Sequence, residues 1–149
     1  YKRQVALSRQ PILAGIKHLN RLEQVLSKTS IENEADFDDY LAVDSEGMLV
    51  ESSAGNVFWR QGKQWYTPDL HYCGVAGVVR TCLIKEMSAQ GETAIEVLSR
   101  PEILLDADEI FLCNSVMGIV PVKELQLPSG ENQQYITHSP LFERLLAAC

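Results

Sequence analysis

Between Tyr40 and Thr67 four short apolar runs are separated by tight polar turns, and this spacing admits few folds. Tyr40 to Asp44, the turn Asp44-Ser45-Glu46-Gly47 and Met48 to Ser52 predict one hairpin. Asn56 to Arg60, the turn Gln61-Gly62-Lys63 and Gln64 to Thr67 predict a second, and Thr67-Pro68-Asp69 breaks the sheet. Directly afterwards the period changes. Gly74-Val75-Ala76-Gly77 opens a helix on which Val75, Val78, Val79, Cys82, Leu83 and Met87 share one face, with Arg80, Lys85 and Glu86 elsewhere.

The rest of the chain is mixed. Strands are predicted over Lys2 to Leu7, Thr93 to Leu98, Glu109 to Cys113 and Ile119 to Leu125, with a short helix starting at Ser99-Arg100-Pro101-Glu102. Ile12 to Lys17 reads as an extended apolar run ending on a lysine. Asn20 caps a helix whose core face is Leu22, Val25 and Leu26, with Glu23 completing a variant of the capping box. Glu32 to Asp39 is a solvated acidic loop. Ser139-Pro140 starts a last helix carrying Leu141, Phe142, Leu145 and Leu146. Adjacent strands with interspersed helices and no repeat or linker give one α+β domain.

Composition narrows the function. The 149 residues are 46% hydrophobic, with 13 basic against 20 acidic side chains and a net charge of −7. That acid excess, without a basic stripe, argues against nucleic acid as a partner. No apolar run approaches the roughly 20 residues that span a bilayer, and no stretch reads as a signal peptide. Cys73, Cys82, Cys113 and Cys149 form no C-x-x-C pair, and three lie among apolar neighbours. They read as reduced thiols, and with no N-x-[ST] acceptor the expected location is cytoplasmic.

The common catalytic templates fail. There is no G-x-G-x-x-G, no G-x-x-x-x-G-K-[ST] and no H-E-x-x-H. Ser53 sits in a partial nucleophile elbow with Glu51 where the first glycine belongs. His18, His71 and His138 lack ligand spacing, so no metal is expected. Three other features combine better. Lys17 ends an apolar run, where it either snorkels to water or lies buried with weakened proton affinity. Glu51 ends the apolar strand Met48-Leu49-Val50 and is either a solvated strand end or a buried charge. Gly74 to Gly77 precedes a helix, where free N–H groups suit a phosphate. A lysine, an anion cradle and a carboxylate together suggest pyridoxal 5'-phosphate.

The residues around these features make the resemblance specific. Leu13-Ala14-Gly15-Ile16-Lys17-His18-Leu19-Asn20-Arg21-Leu22-Glu23-Gln24-Val25-Leu26 resembles the active-site lysine segment of the aminodeoxychorismate lyase family. That family belongs to the fold-type IV pyridoxal-phosphate enzymes, with the branched-chain and D-amino-acid aminotransferases. Glu51 to Trp59 resembles its glutamate segment, Tyr66-Thr67-Pro68 with Gly74 to Arg80 its phosphate segment, and Glu109 to Val122 its late strand pair.

The resemblance implies a mixed-sheet or pseudo-barrel domain with flanking helices. It also implies Lys17 as Schiff-base lysine and proton-shuttling base, Glu51 on the pyridine nitrogen, and the N–H groups of Val75 and Ala76 on the phosphate. Asn114 and Ser115 would border the phosphate or substrate side. Ala76 departs from the threonine common in the aminotransferases, so a hydroxyl contact is missing. The implied reaction converts the anionic small molecule 4-amino-4-deoxychorismate to 4-aminobenzoate and pyruvate, for folate synthesis, in a homodimer. Arg21-Leu22-Glu23-Gln24 favours the lyase over an aminotransferase. Nothing matches the family's N-terminal domain, and the chain opens abruptly on Tyr1. Residues 1–149 are therefore expected to be the C-terminal cofactor domain alone. A domain fragment without bound cofactor is the remaining alternative.

Overall fold

Why Val57-Phe58-Trp59 and Ile110-Phe111-Leu112-Cys113 are apolar without a break is explained by where their strands lie. In the computed structural model, which describes residues 5–19, 22–25, 37–140 and 143–145, both strands sit inside a sheet covered on its two faces. The expectations for Lys2 to Gln4, the Asn20 cap, Leu26, most of the acidic loop, Leu141, Phe142, Leu146 and Cys149 lie outside the described residues.

The described strands are β1 (Val5–Leu7), β2 (Leu41–Asp44), β3 (Leu49–Ser52), β4 (Asn56–Gln61) and β5 (Gln64–Pro68), followed by helix α1 (Val78–Ala89). Then come β6 (Ala94–Val97), a 3-10 turn (Pro101–Asp106), β7 (Glu109–Asn114), β8 (Gly118–Pro121), β9 (Glu124–Gln126) and β10 (Asn132–Gln134). They form a three-stranded sheet β1-β2-β3, a five-stranded sheet β6-β5-β4-β7-β8 and the pair β10-β9. The fold is α+β, as expected. Both predicted hairpins form, β2 with β3 and β4 with β5.

Alternation along β4 and β7 divides the core in two. Val57, Trp59, Ile110 and Leu112 join Leu41, Leu49 and Leu104 in one cluster. Phe58, Phe111 and Cys113 face the other way, against Trp65, Leu83, Met87 and Leu145. Phe58 and Phe111 are register partners whose rings stack 5.0 Å apart. Where β4 and β7 run out to the sheet end, Arg60 lies opposite Glu109. The guanidinium Nε donates to Glu109 Oε2 at 3.2 Å while Ser139 Oγ donates to Oε1 at 2.7 Å, so this buried carboxylate is satisfied.

Four expectations change. Ile12 to Lys17 is not a strand: residues 11–14 form a turn, held by Leu13 N–H on Gln10 O and Ile16 N–H on Leu13 O. Pro11 starts that turn and Gly15, at φ +75°, leaves it, so the apolar residues are not strand residues at all. Residues 22–25 are helical, but Leu22 and Val25 face outward, because Glu23 turns toward β1 and accepts from Ser8. On α1 the buried residues are Arg80, Leu83 and Met87, while Val78 and Cys82 are exposed. Arg80 is drawn inward by Pro68 O at 3.0 Å and the Glu96 carboxylate at 2.8 Å. Finally, Ile119 to Leu125 is two strands, β8 ending at Pro121 and β9 starting at Glu124.

Candidate functional site

The lysine, glutamate and glycine-rich segments are distant in sequence, and one run of backbone joins them. Gly15 makes an isolated parallel bridge to Val75: its N–H donates to Gly74 O at 3.0 Å, and its carbonyl accepts from Ala76 N–H at 3.0 Å. Lys17 therefore stands two residues beyond a fixed point on the glycine-rich segment. Its side chain is exposed, so of the two sequence readings it is the one that reaches water.

Glu51, on β3, lies beneath that segment. It is only 3% exposed, and its Oε2 accepts Val75 N–H at 3.0 Å. Of its two readings, the buried charge holds. Gly74 makes this approach available, at φ +90°. A Cβ there would stand 2.6 Å from Val50 Cγ1 and 2.9 Å from Leu70 Cδ2. A side chain would be both strained and overpacked.

The bond on Val75 bears on the expected phosphate cradle. Val75 N–H is engaged by Glu51 and Ala76 N–H by Gly15, so neither is an open donor in this structure. Gly77 N–H is engaged too, by Asn56 Oδ1 at 3.2 Å. The first bond of helical spacing runs from Thr81 N–H to Gly77 O at 3.0 Å. Val78, Val79 and Arg80 thus present the N–H groups that an α-helix leaves without intrahelical acceptors. Val78 is 80% exposed, which puts this end of α1 at the surface.

Asn114 and Ser115 lie at the turn from β7 to β8. Asn114 Oδ1 accepts from Val116 and Met117 N–H at 2.8 and 2.7 Å, which shapes the turn. Its Nδ2 donates to Ala54 O at 3.2 Å, tying that turn to the Ser52-to-Gly55 loop that follows Glu51. Ser115 is exposed. All four segments singled out in the sequence are therefore linked: Lys17 through Gly15, Glu51 through Val75, and Asn114 through Ala54.

Electrostatics under the site are set by acids. Cys73 is buried, and burial followed by the charges of Asp44 and Glu51 pushes its thiol up to about 11. The thiol is protonated and unreactive at neutral pH, in keeping with its reading as a small hydrophobe. Asp44 is itself satisfied, accepting from Arg9, Glu46 N–H and Met48 N–H. Among the described residues no group of His, Cys, Asp and Glu could hold a metal ion, and no helix is long and apolar enough to cross a membrane.

Gly15 and Asn56 had no role of their own in the sequence reading, though both lie in the segments that carry the resemblance, and Gly74 entered only as the start of the anion cradle. Residue by residue, Asn56 read as the first residue of a strand. A polar side chain directly before Val57-Phe58-Trp59, and so at the edge of the core, was the available signal.

The chain as a whole matches known proteins. The model of the amino-transferase class IV family matches residues 1–125. An aminodeoxychorismate lyase of Vibrio harveyi is 36% identical over 82% of this chain and 45% of its own length. A chloroplastic branched-chain-amino-acid aminotransferase 2 of Arabidopsis thaliana is 29% identical over 72% of this chain and 28% of its own. Among solved structures, a 4-amino-4-deoxychorismate lyase from Pseudomonas aeruginosa superposes with a TM-score of 0.87 at 34% identity. The match covers 98% of this chain and 52% of that one. The chain spans about half the length of these lyases or less.

Proposed function

This chain belongs to the amino-transferase class IV family, and from that premise we propose that it carries the cofactor half of a pyridoxal-phosphate lyase. The reaction would convert 4-amino-4-deoxychorismate to 4-aminobenzoate and pyruvate. The observation that supports the reading is the hydrogen-bonded junction of Gly15, Glu51 and Gly74 to Gly77, which links the segment bearing an exposed lysine to a buried carboxylate and the N-terminus of a twelve-residue helix. Those donors fit pyridoxal 5'-phosphate: the amine its aldehyde, the carboxylate its ring nitrogen, the helix end its phosphate. When bound, that group supplies an electron sink.

The chain's own residues would do the following. Lys17 would hold the cofactor covalently and, once displaced by the substrate's amine, take the proton from the ring carbon bearing that nitrogen. Its exposure on a loop fixed two residues away leaves Nζ room for both tasks. Glu51 would keep a proton on the ring nitrogen. The open N–H groups of Val78 and Val79 would take the phosphate, since those of Val75 and Ala76 serve the protein; Asn114 and Ser115 would border the same side. Loss of the enolpyruvyl group would break the C–O bond and aromatise the ring, and Lys17 or water would protonate the methylene carbon of the departing enolpyruvate to give pyruvate.

The Vibrio harveyi and Pseudomonas aeruginosa lyases, 36% and 34% identical, support the lyase reading, and the branched-chain aminotransferases that also match keep amino transfer as the alternative. A homodimer, a cytoplasmic location and a place in folate synthesis belong to the same reading, as does the chain's identity as a C-terminal domain. Pyruvate released from 4-amino-4-deoxychorismate, and lost in Lys17→Ala, is the expected result. Keto-acid-dependent amino transfer without pyruvate would replace it with the aminotransferase reading. Neither activity, with no cofactor uptake, would leave a domain without catalytic function.

A further inference from the structure

We infer that Asn56 is a positioning residue that aims the N-terminus of α1 at the cofactor phosphate, an inference that rests on the reading of the site given above. Asn56 is 5% exposed and spends both ends of its amide on one short stretch of backbone. Its Nδ2 donates to Val75 O at 2.7 Å and its Oδ1 accepts from Gly77 N–H at 3.2 Å. The orientation is dictated by the partners, because a carbonyl can only accept and an N–H can only donate.

The same stretch is held from two other sides. Glu51 Oε2 takes Val75 N–H, and Gly15 O takes Ala76 N–H. Three successive N–H groups, on Val75, Ala76 and Gly77, are thereby turned to protein acceptors. The next donors in the chain, on Val78 and Val79, begin the helix and carry its positive end. Asn56 thus fixes where the engaged amides stop and the open ones start. Because Val75 is bonded to both Glu51 and Asn56, it also fixes the phosphate end relative to the carboxylate that would meet the ring nitrogen.

Gly77 supports the same account. Its φ is −63°, a value any residue adopts, so no backbone strain requires glycine there. Yet a Cβ would stand 2.5 Å from Asn56 Oδ1. The glycine makes room for the asparagine.

The test compares pyridoxal 5'-phosphate with pyridoxal, which lacks only the phosphate, by equilibrium dialysis. Borohydride reduction and peptide mapping locate the label. In the unsubstituted protein the label falls on Lys17 and the phosphate-bearing form binds more tightly. Asn56→Ala is expected to weaken pyridoxal 5'-phosphate on the order of tenfold and pyridoxal less than about twofold. Asn56→Asp keeps the acceptor for Gly77 but sets an oxygen against Val75 O, and is expected to act in the same direction if the alanine variant fails to fold. Gly77→Ala should reproduce the selective loss, and added to Asn56→Ala it should cost little more, because the collision is then gone. Equal weakening of both ligands, or no weakening, in a folded variant overturns the inference while leaving the site reading intact. An unsubstituted protein whose label falls elsewhere than Lys17, or that does not favour the phosphate form, overturns the site reading and this inference with it.

Discussion

Substituting Gly74 by alanine tests whether the tight junction beneath the site is as described. The first cost is conformational: a φ of +90° charges an L-residue about 1–2 kcal/mol. The second is steric, with a Cβ 2.6 Å from Val50 Cγ1 and 2.9 Å from Leu70 Cδ2. Val50 is 3% exposed and Leu70 7%, so neither can swing into solvent, and overpacking of this kind costs about 1–3 kcal/mol. Together these give roughly 2–5 kcal/mol. For a chain of this length that lowers Tm on the order of 10 °C. Gly91→Ala supplies the reference: Gly91 also has positive φ, at +77°, but a Cβ there meets nothing within 4 Å. Only the conformational cost of about 1–2 kcal/mol applies to it. Urea unfolding followed by fluorescence of the buried Trp59 and Trp65 measures both variants in one assay. Equal midpoints for the two would refute the argument that Gly74 is required by packing.

Other outcomes follow from the same structure. Glu51→Gln keeps an acceptor for Val75 N–H, so urea stability should fall by about 1 kcal/mol or less, while in the proposed reaction the rate of pyruvate release should drop at least roughly tenfold, because an amide cannot hold a proton on the ring nitrogen as a carboxylate would. With iodoacetamide near neutral pH, the exposed Cys82 should be alkylated and the buried Cys73 spared, as read by peptide mass. Because the folded Cys73 titrates near 11 against an ordinary 9.0, the unfolded chain loses this proton first. The stability it contributes is complete below pH 9 and is lost as pH rises from 9 toward 11, which denaturation across that range would show.

The central strands were legible because local pattern and tertiary demand coincide there. Asp44 to Gly47 and Gly62-Lys63 are turns by their own chemistry, and the unbroken apolar runs of β4 and β7 belong to a sheet covered on both faces. Ile12 to Lys17 misled because apolar content was read without Pro11 and Gly15, which make it a turn. The buried face of α1 misled because Arg80, a charged residue, is held inward by Pro68 O and Glu96, partners that helical periodicity cannot reveal.

In the site, residue types made Lys17 and Glu51 candidates beside a bland alternative for each, and the structure joins their segments through Gly15 and Val75. The assignment of phosphate donors was beyond the sequence. Every residue there has an N–H, and which ones are engaged depends on Gly15, Glu51 and Asn56, each more than fifteen positions away. That allotment by distant partners moves the proposed cradle from Val75 and Ala76 to Val78 and Val79.

The most direct test of the central claim, that these segments together hold pyridoxal 5'-phosphate on Lys17, is site mapping of that cofactor after borohydride reduction. Six lysines compete for the label: Lys2, Lys17, Lys28, Lys63, Lys85 and Lys123. The account predicts one equivalent, saturable at low cofactor concentration, on the peptide containing Lys17, with Lys17→Arg leaving the chain unlabelled under the same conditions. Label spread over the six lysines without saturation, or unchanged in Lys17→Arg, would contradict it.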